Sequence, residues 1–357
     1  MSKQRYRVAH LGLGGRGTVH ANTLIELAEL YEVVGLCELR EERLREFCRE
    51  KGLDTSICYT DAERMLAATN PDIFCFITQP STPRLEFTEL AAKHAVKAIA
   101  LEKPMATSLA EANGIVHLCR ENGIKGVVSH QQKYLTSLQK IKEVVDSGAI
   151  GEIQLITASC QAWLAQLGTH FVDYVLWVNG FERAEWVVGH VHGRELLSDS
   201  HASPNYVMGQ IGFANGVRAV VEFGKLSAPH MAGEKFWVDN RLTVYGSLGH
   251  VWGETDGRWG GCIKGAEAGG QGDDWATQER SRLQPPYFAE FADWLDGSIG
   301  DHPCNLEHAY HGYMIMQALC ISAMDNVRVD LPLDNGNMVD IFDRMRRELP
   351  ECPERAE

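Results

Sequence analysis

Short apolar runs alternate with helical patterns along the first 128 residues, and this alternation constrains the fold more than any other feature. Runs such as "VVGLC", "DIFCFIT" and "KAIAL" contain few polar residues, whereas stretches such as "REERLREFCREKG" carry charges at helical spacing. Strands that are apolar on both faces are typical of parallel sheets covered by helices on each side. We therefore predict a doubly wound parallel sheet and assign residues 1–128 to this first domain.

The second part of the chain, residues 129–357, has longer strand-like runs, including "EIQLITASCQAW", "NYVMGQIGF" and "VRAVVEFG". Asn215 and Gly216 separate two of these runs, as expected for a β-hairpin between antiparallel strands. Residues 253–285 are rich in glycine and polar residues and predict a long loop. We predict a second α/β domain with a mainly antiparallel sheet.

The composition indicates the cellular compartment of such a chain and the classes of partner that it does not bind. A formal net charge of −14 repels phosphate backbones, and no run reaches the ~18 apolar residues of a membrane span. The ten cysteines form no C-x-x-C pair and several lie in apolar runs, which predicts reduced, buried thiols. The N-terminal "MSKQRYR" leads directly into a strand pattern, so we expect no signal peptide. We therefore expect a soluble cytoplasmic protein with no nucleic-acid and no membrane partner.

Two histidine pairs are candidates for metal ligands. His190 and His192 share one face of a predicted strand, and His308 and His311 lie one helical turn apart. No cluster of cysteines or acids completes either pair at the spacing of a zinc site. We therefore expect no metal and interpret both pairs as structural or surface residues.

The stretch "RVAHLGLGGRGTVH" contains the spacing G-x-G-x-x-G at Gly12, Gly14 and Gly17, between a predicted strand and a predicted helix. In a dinucleotide site these glycines make a tight turn, let the backbone approach a pyrophosphate, and let the helix pack on the strand. The helix N-terminus attracts the phosphates. The intervening candidate cofactor residues are Leu13, Gly15 and Arg16. A simple glycine-rich turn is the alternative.

An acidic residue about 20 positions after the glycines is the second element of this fingerprint. Glu38 ends the second predicted strand, 21 residues after Gly17, where its carboxylate could accept hydrogen bonds from a ribose 2′-hydroxyl. An acid at this position favours NAD over NADP. Arg40 leaves NADP open, because a guanidinium there could hold the 2′-phosphate; an unrelated surface Glu38 is the other alternative.

Glu102, Lys103 and Pro104 follow the predicted strand "VKAIA". In a doubly wound sheet this places them at the carboxyl edge of the strands, where ligands bind. Charged residues before a proline also end ordinary strands, so this tripeptide alone does not assign a function.

Taken together, "GLGGRG", "CELR", "FITQPS", "ALEKPMA" and "DSGAIGEI" resemble the Gfo/Idh/MocA oxidoreductases, named after glucose-fructose oxidoreductase and inositol dehydrogenase. The resemblance implies a Rossmann domain followed by an α/β domain with a large open sheet. One face of that sheet would cover the active site and the other would mediate a homodimer or homotetramer. It also implies NAD(P)-dependent redox chemistry on sugars, polyols or related hydroxy compounds.

The resemblance assigns roles in the first domain. Lys103 corresponds to the family's catalytic lysine, whose ammonium can stabilise a developing alkoxide. Glu102 would orient this segment, Glu102 and Lys103 would also contact the cofactor, and Pro104 would follow a cis peptide bond. The turn that would lie along the cofactor consists of Thr78, Gln79 and Pro80. Arg84 stands where many relatives have histidine and receives no role.

In the second domain, "WLAQLGTHFVDYVLW" resembles the family pattern D-x-G-x-H-x-x-D. His170 corresponds to the catalytic histidine that accepts a hydroxyl proton as hydride leaves the same carbon. Gly168 and Asp173 match the pattern, whereas Gln166 replaces the usual aspartate. An amide can position a hydroxyl group but cannot act as a base. A satisfied structural histidine is the alternative for His170.

The candidate substrate-binding residues are Lys133, Trp163, Gln166, His170 and Asp173. Lys133 stands where relatives often have a substrate-side arginine, and Trp163 and Trp177 could stack on a sugar face. A solvated lysine and core tryptophans are equally compatible with the sequence.

We therefore predict an oxidoreductase that uses NAD, with NADP as the alternative, to transfer hydride at a hydroxyl or keto carbon of a sugar, sugar derivative or cyclitol. Two alternatives remain open. One is an NAD-dependent glycosidase that oxidises the sugar transiently and eliminates the aglycone, and the other is a non-catalytic dinucleotide sensor.

Overall fold

The computed structural model describes residues 5–230, 236–273, 283–334 and 340–352. The described residues divide into two compact units. The first comprises residues 5–107, 111–131 and 283–307, and the second comprises residues 108–110, 132–230, 236–273, 308–334 and 340–352. The first unit is therefore completed by a segment that comes late in the chain.

The helices alternate with strands in the first unit and frame the sheet in the second. Their bounds are α1 Gly15–Glu26, α2 Glu41–Lys51, α3 Ala62–Thr69, α4 Leu85–Lys93, α5 Leu109–Asn122, α6 Thr136–Asp146, α7 Thr169–Val178, α8 Gln284–Leu295, α9 Leu306–Asp325 and α10 Ile341–Glu348. Local sequence explains many of these ends. For example, α2 begins with Glu41 and Glu42, carries Arg49 and Lys51 in its last turn, and stops at Gly52, whose φ is 64°.

A six-stranded parallel sheet forms the centre of the first unit. Its strands are β1 Tyr6–Leu11, β2 Tyr31–Cys37, β3 Cys58–Tyr59, β4 Ile73–Phe76, β5 Ala98–Leu101 and β6 Lys125–Val128. They lie in the order β3-β2-β1-β4-β5-β6, which is the strand order of a Rossmann domain. Every residue of β4 and β5 is buried, as their continuous apolar runs require. The predicted doubly wound parallel sheet is confirmed.

A nine-stranded sheet forms the second unit. Its strands are β7 Ile153–Cys160, β8 Ala184–His192, β9 Tyr206–Phe213, β10 Arg218–Gly224, β11 Asn240–Gly246, β12 Gly249–Gly253, β13 Arg258–Ile263, β14 Ala266–Gln271 and β15 Val329–Asp330. The order is β14-β13-β12-β11-β7-β10-β9-β8-β15. Strands β7 and β10 are parallel, and the other pairs are antiparallel. The prediction of a large, mainly antiparallel sheet is confirmed.

The predicted hairpin at Asn215 and Gly216 joins β9 and β10. The Asn215 side chain accepts a hydrogen bond from the Val217 N–H at 3.1 Å. Gly216 has a φ of 83°, a conformation that residues with a Cβ rarely adopt. The turn chemistry of these two residues therefore sets the register of the two strands.

The predicted loop over residues 253–285 is wrong in its first half, because β13 and β14 form an antiparallel hairpin there. The glycines that suggested a loop make room for tryptophan rings. A Cβ on Gly260 would lie 2.8 Å from the Trp252 ring, and one on Gly270 would lie 3.0 Å from the Trp259 ring. Residues 274–282 of the predicted loop lie outside the described residues.

All ten cysteines lie in the described part of the chain and are free thiols, seven of them buried. This confirms the prediction of mostly buried cysteine side chains. None of the described helices combines the length and apolar character that crossing a membrane requires.

A core cluster beneath the β1–α1 connection provides a test of the packing. Its buried members are Leu13, Ala21, Leu36, Leu44, Phe47 and Cys48. We expect Leu36→Ala to lower the free energy of unfolding by about 2–5 kcal/mol, because it leaves a cavity in a fully buried site. The control Leu39→Ala alters a leucine that is 84% exposed and should leave the denaturation midpoint unchanged. Equal midpoints for the two variants would contradict this view of the core.

Candidate functional site

Two glycines of the β1–α1 connection are required by the packing of the protein on itself. Gly12 has a φ of 96°, and a Cβ there would lie 2.3 Å from the Ile77 carbonyl oxygen. A Cβ on Gly17 would lie 2.1 Å from the Gly12 carbonyl oxygen. Real Cβ atoms do not approach oxygen so closely, so these positions hold the turn against β4 and the helix against the turn.

The other two glycines of the connection face open space. A Cβ on Gly14 or on Gly15 would meet no protein atom within 4 Å. Gly14 is the N-cap of α1, no side-chain hydrogen bond caps the helix there, and its first turn contains no acidic residue. The N–H groups of a first helical turn have no acceptor within the helix and carry a partial positive charge. The connection therefore fits the pyrophosphate of a dinucleotide.

Glu38 lies against this turn, as the spacing predicted. Its Oε2 accepts a hydrogen bond from the Leu13 N–H at 2.9 Å, and its Oε1 accepts one from the Arg40 N–H at 3.2 Å. Burial opposes ionisation, but these two N–H groups and the Arg40 guanidinium lower the pKa of Glu38 below its usual value. Glu38 is therefore an ionised carboxylate beside the glycine turn. Leu13 donates its N–H to Glu38 and packs its side chain in the core.

Arg84, which has no role in the sequence analysis, holds the turn that follows β4. Its buried guanidinium donates to the carbonyl oxygens of Pro80 and Thr82, each at 3.2 Å, and of Gln79 at 3.4 Å. These bonds order the segment that contains the predicted cofactor residues Thr78, Gln79 and Pro80. No pattern in the sequence indicates that the side chain folds back onto its own turn.

Glu102 is the centre of a buried polar cluster in the first unit. Its Oε1 accepts a hydrogen bond from His20 Nε2 at 3.0 Å and faces Arg16 Nε at 3.6 Å, and its Oε2 accepts from the Lys103 N–H at 3.2 Å. Burial alone would raise the pKa of Glu102, but the His20 hydrogen bond and the charges of Arg16 and Lys103 hold it well below its usual range. His20 is not among the predicted site residues, because a single histidine in a helix carries no recognisable signal.

Lys103 follows directly, and the Lys103–Pro104 peptide bond is cis, as the resemblance implied. Burial lowers the pKa of Lys103 to about 8. The negative charge of Glu102 opposes this shift, whereas the positive charges of Arg16 and Arg84 add to it. A lysine tuned in this way is a functional-site candidate, since it both carries and releases a proton near neutral pH.

In the second unit, a π-helical turn at Leu164–Gly168 leads into α7. The Trp163 carbonyl oxygen accepts hydrogen bonds from the N–H groups of Gln166 at 3.0 Å and of Gly168 at 3.2 Å. A Cβ on Gly168 would lie 3.0 Å from the Phe223 ring, so this glycine packs α7 closely on β10. His170 lies in the first turn of α7 and is 2% exposed. Such π turns are frequent at functional sites.

Lys133 and Asp173 form a buried ion pair within the second unit. Lys133 Nζ lies 2.9 Å from Asp173 Oδ2, and both side chains are at most 2% exposed. The ammonium also lies 5.2 Å from the centre of the Phe181 ring. The alternative of a solvated Lys133 is therefore wrong. The pair fixes α7 one turn beyond His170.

The positions of Trp163 and Trp177 limit the hypothesis that both rings stack on a sugar. Trp163 stacks on Phe236, with 6.0 Å between ring centres and 17° between planes, so that one of its faces is covered within the same unit. Trp177 is buried in α7, as its core alternative requires. Trp163 keeps only its other face for a ligand.

The His308 and His311 pair has protein partners. His311 Nε2 accepts a hydrogen bond from the Ala184 N–H at 3.0 Å, and His308 stacks on Phe181 at 3.6 Å. Among the described residues, no group of three histidine, cysteine or acidic side chains could hold a metal ion.

The predicted residues thus gather in two places. The first unit brings the glycine turn, Glu38, the Thr78–Pro80 turn and the Glu102–Lys103 segment to the carboxyl ends of its strands. The second unit brings Gln166, His170 and the Lys133–Asp173 pair to the start of α7.

Comparison with known proteins gives a family for both parts of the chain. Residues 6–130 match the family model described as "Oxidoreductase family, NAD-binding Rossmann fold". Residues 138–252 match the model described as "GFO/IDH/MocA C-terminal domain".

A curated relative, the D-apiose dehydrogenase of Paraburkholderia graminis, is 33% identical to this chain over 150 residues. The match covers 42% of this chain and 38% of the relative, so the chain spans less than half the length of that protein.

Solved structures share the fold along nearly the whole chain. An oxidoreductase from Agrobacterium radiobacter in complex with NAD+, L-tartaric acid and magnesium is 18% identical and has a TM-score of 0.76, over 92% of this chain and 98% of its own. A levoglucosan dehydrogenase in complex with NADH and levoglucosan is 16% identical, with a TM-score of 0.76 over 93% of this chain and 100% of its own.

The two kinds of glycine in the turn should respond differently to an added methyl group. We expect Gly17→Ala to cost roughly 1–3 kcal/mol of stability, because its Cβ meets a backbone oxygen. Gly14→Ala should change stability by less than about 0.5 kcal/mol. It should nevertheless weaken NADH binding about tenfold, equivalent to ~1.4 kcal/mol, because the methyl group enters the space left for the pyrophosphate. Thermal denaturation and NADH fluorescence titration measure both effects, and unchanged NADH affinity in Gly14→Ala would place the pyrophosphate elsewhere.

The two charges of the buried Lys133–Asp173 ion pair should depend on each other for their contribution to stability. We expect Lys133→Met alone to cost about 3–5 kcal/mol, because it leaves the Asp173 carboxylate buried without its counter-charge. Adding Asp173→Asn should recover most of that loss, as urea denaturation can measure. Equal losses in the single and double variants would show that the two charges do not depend on each other.

Proposed function

This chain belongs to the Gfo/Idh/MocA oxidoreductase family, and from that premise we propose that it is an NAD(P)-dependent dehydrogenase or reductase. It transfers hydride at a hydroxyl or keto carbon of a sugar, sugar derivative or cyclitol. The observation that carries this proposal is Lys103, a partly buried lysine whose pKa is lowered to about 8 in the unit that contains the glycine turn. The names of relatives that act on D-apiose and levoglucosan support a sugar-like substrate.

The residues of the first unit fit a nicotinamide dinucleotide. The first turn of α1 would hold the pyrophosphate at Gly14, Gly15 and the following N–H groups. Glu38 would accept the ribose hydroxyls, and its ionised state favours NAD because it repels a 2′-phosphate. Arg40 already donates to Glu38, which weakens the case for NADP. When bound, the nicotinamide supplies the site that accepts or donates hydride.

Lys103 stabilises the reacting oxygen of the substrate. Its ammonium form donates a hydrogen bond and a positive charge to an oxygen that becomes negative as the hydroxyl proton leaves it, or, in the direction of reduction, as hydride reaches the carbonyl carbon. A pKa of about 8 makes it a stronger acid than an ordinary lysine, so the hydrogen bond strengthens as the oxygen gains charge.

His170 accepts the hydroxyl proton, and in the direction of ketone reduction it returns that proton. The π turn before α7 and the Lys133–Asp173 pair one turn beyond it hold the histidine in place. Gln166, with its neutral amide, orients a substrate hydroxyl. Trp163 offers the ring face that Phe236 leaves uncovered.

The second sheet also supports a homodimer or homotetramer. Val188, Met208 and Val220 are exposed on the neighbouring strands β8, β9 and β10. Gln210 pairs with both Val188 and Val220, so these residues share one face of the sheet. An exposed apolar face on a large sheet suits association with a second copy.

A screen of sugars and cyclitols with NAD and with NADP, followed by the absorbance of the reduced cofactor, tests the proposed function. We expect turnover with at least one such alcohol, and with NAD more readily than NADP. Release of the aglycone from a glycoside without net NADH would instead assign the glycosidase chemistry that Gln166 leaves open. Turnover with no sugar-like alcohol, ketone or glycoside would refute the proposal.

Lys103 should contribute to catalysis and not to cofactor affinity. We expect Lys103→Met to lower kcat by about 10²–10³ while the NADH dissociation constant changes little. In the wild type, the ammonium form exists below the pKa, so activity should fall as the pH rises above about 8. The control Lys97→Met removes an exposed lysine paired with Asp72 and should leave kcat and the pH profile unchanged. Similar kcat values for both variants would remove Lys103 from the mechanism.

A further inference from the structure

His20 reaches the Glu102–Lys103 segment from the helix that begins at the glycine turn. The ring is fully buried, and its Nε2 lies 3.0 Å from Glu102 Oε1. Gln284 Nε2 and Ser129 Oγ lie near the same ring nitrogen, at 3.1 Å and 3.3 Å. One buried imidazole therefore connects α1 to the end of β5.

The surroundings decide which nitrogen carries the proton. Glu102 is ionised and can only accept, so His20 Nε2 carries the hydrogen that points to it. The Gln284 amide nitrogen at 3.1 Å is also a donor and therefore forms no hydrogen bond with this N–H. Nδ1 is buried and has no hydrogen-bond partner among the described residues. A second proton there would be buried and unpaired, and burial lowers the pKa of His20 accordingly. The ring is a neutral donor and adds no positive charge near Lys103.

Glu102 is held from two sides. His20 binds Oε1, and the Lys103 N–H binds Oε2, so neither oxygen can turn without losing a hydrogen bond in a buried site. Without the His20 hydrogen bond, Glu102 Oε1 would keep, among the described residues, the ion pair with Arg16 at 3.6 Å, and Arg16 is partly exposed.

We propose that His20 is a positioning residue that holds the Glu102 carboxylate against Lys103 and thereby links the glycine-turn helix to the reacting lysine. Its catalytic consequence rests on the proposed dehydrogenase function, but the link itself does not. His20 does not touch the reacting atoms in this proposal, because Glu102 carries its effect.

The charges that face Lys103 determine the direction of the effect. Glu102 stabilises the ammonium form, whereas Arg16 and Arg84 destabilise it and His20 is neutral. If Glu102 is released, the stabilising charge weakens and the two arginines remain. The pKa of Lys103 should then fall below about 8, and the loss of activity with rising pH should begin earlier.

The neighbours of His20 allow a conservative test. The ring meets Phe288 and Tyr287 edge-on, with 5.6 Å and 6.4 Å between ring centres. Phenylalanine keeps an aromatic ring for these edge-on contacts and removes the hydrogen-bond donor. His302, which is also fully buried in the first unit, bonds to the Tyr287 carbonyl oxygen and not to Glu102. His302→Phe is therefore a matched control.

The experiment measures Lys103 directly and without turnover. After reductive ¹³C-methylation of the whole protein, the Lys103 signal is assigned by its loss in Lys103→Arg and titrated by NMR. We expect the Lys103 midpoint to fall by roughly 0.5–1 pH unit in His20→Phe, to fall further in Glu102→Gln, and to stay in place in His302→Phe. His20→Gln, which restores a donor, should recover part of the shift. The decline of kcat at high pH should move in parallel, with little change in the NADH dissociation constant.

The outcomes separate this inference from the proposed function. An unchanged Lys103 midpoint in His20→Phe, or equal shifts in His20→Phe and His302→Phe, overturns the inference whether or not the enzyme turns over. The expected shifts in a protein that oxidises no sugar would uphold the link and refute the proposed function. If His20→Phe does not fold, the comparison of Glu102→Gln and His20→Gln with the wild type decides, and a Lys103 midpoint unmoved by Glu102→Gln overturns the inference.

Discussion

The candidate site of the first unit depends on the interactions that hold the buried carboxylate of Glu102. An ionised group removed from water costs several kcal/mol unless charges and hydrogen bonds replace its hydration. Here His20, the Lys103 N–H and Arg16 replace it. The same negative charge limits how far burial lowers the pKa of Lys103. Stability and chemistry therefore share one group, and a change that disturbs Glu102 affects both.

The second unit solves a similar problem with a different pair. Lys133 and Asp173 are both buried, and each is the counter-charge of the other. Buried pairs of this kind contribute little net stability, but they allow few alternative arrangements. With the π turn before α7, the pair fixes the helix that carries His170. The proposed catalytic histidine therefore lies on a rigid element, which suits a group that would accept a proton with accurate geometry.

Sequence and structure agree best where one local rule decides the outcome. Apolar runs place β4 and β5 inside a parallel sheet, and the Asn215–Gly216 turn gives the β9–β10 hairpin. The G-x-G-x-x-G spacing places the turn, and the acid 21 residues later lies against it. The rule fails at residues 258–271, where glycines serve as space for Trp252 and Trp259 and not as flexible links. Composition alone cannot distinguish a glycine that allows the backbone to turn from a glycine that leaves space for a neighbouring side chain.

The sequence by itself determined the parallel sheet, the dinucleotide turn with Glu38, and the identity of Lys103 and His170 as candidates. These follow from periodicity and spacing, or from family motifs, all of which are local in the chain. Only the tertiary structure decided that His20 serves Glu102, that Arg84 folds onto the Gln79–Thr82 turn, and that Lys133 is paired and not solvated. Each of these contacts joins side chains whose partners depend on how buried charges are satisfied in three dimensions. Desolvation acts on a group in its folded surroundings, and no window of sequence contains those surroundings.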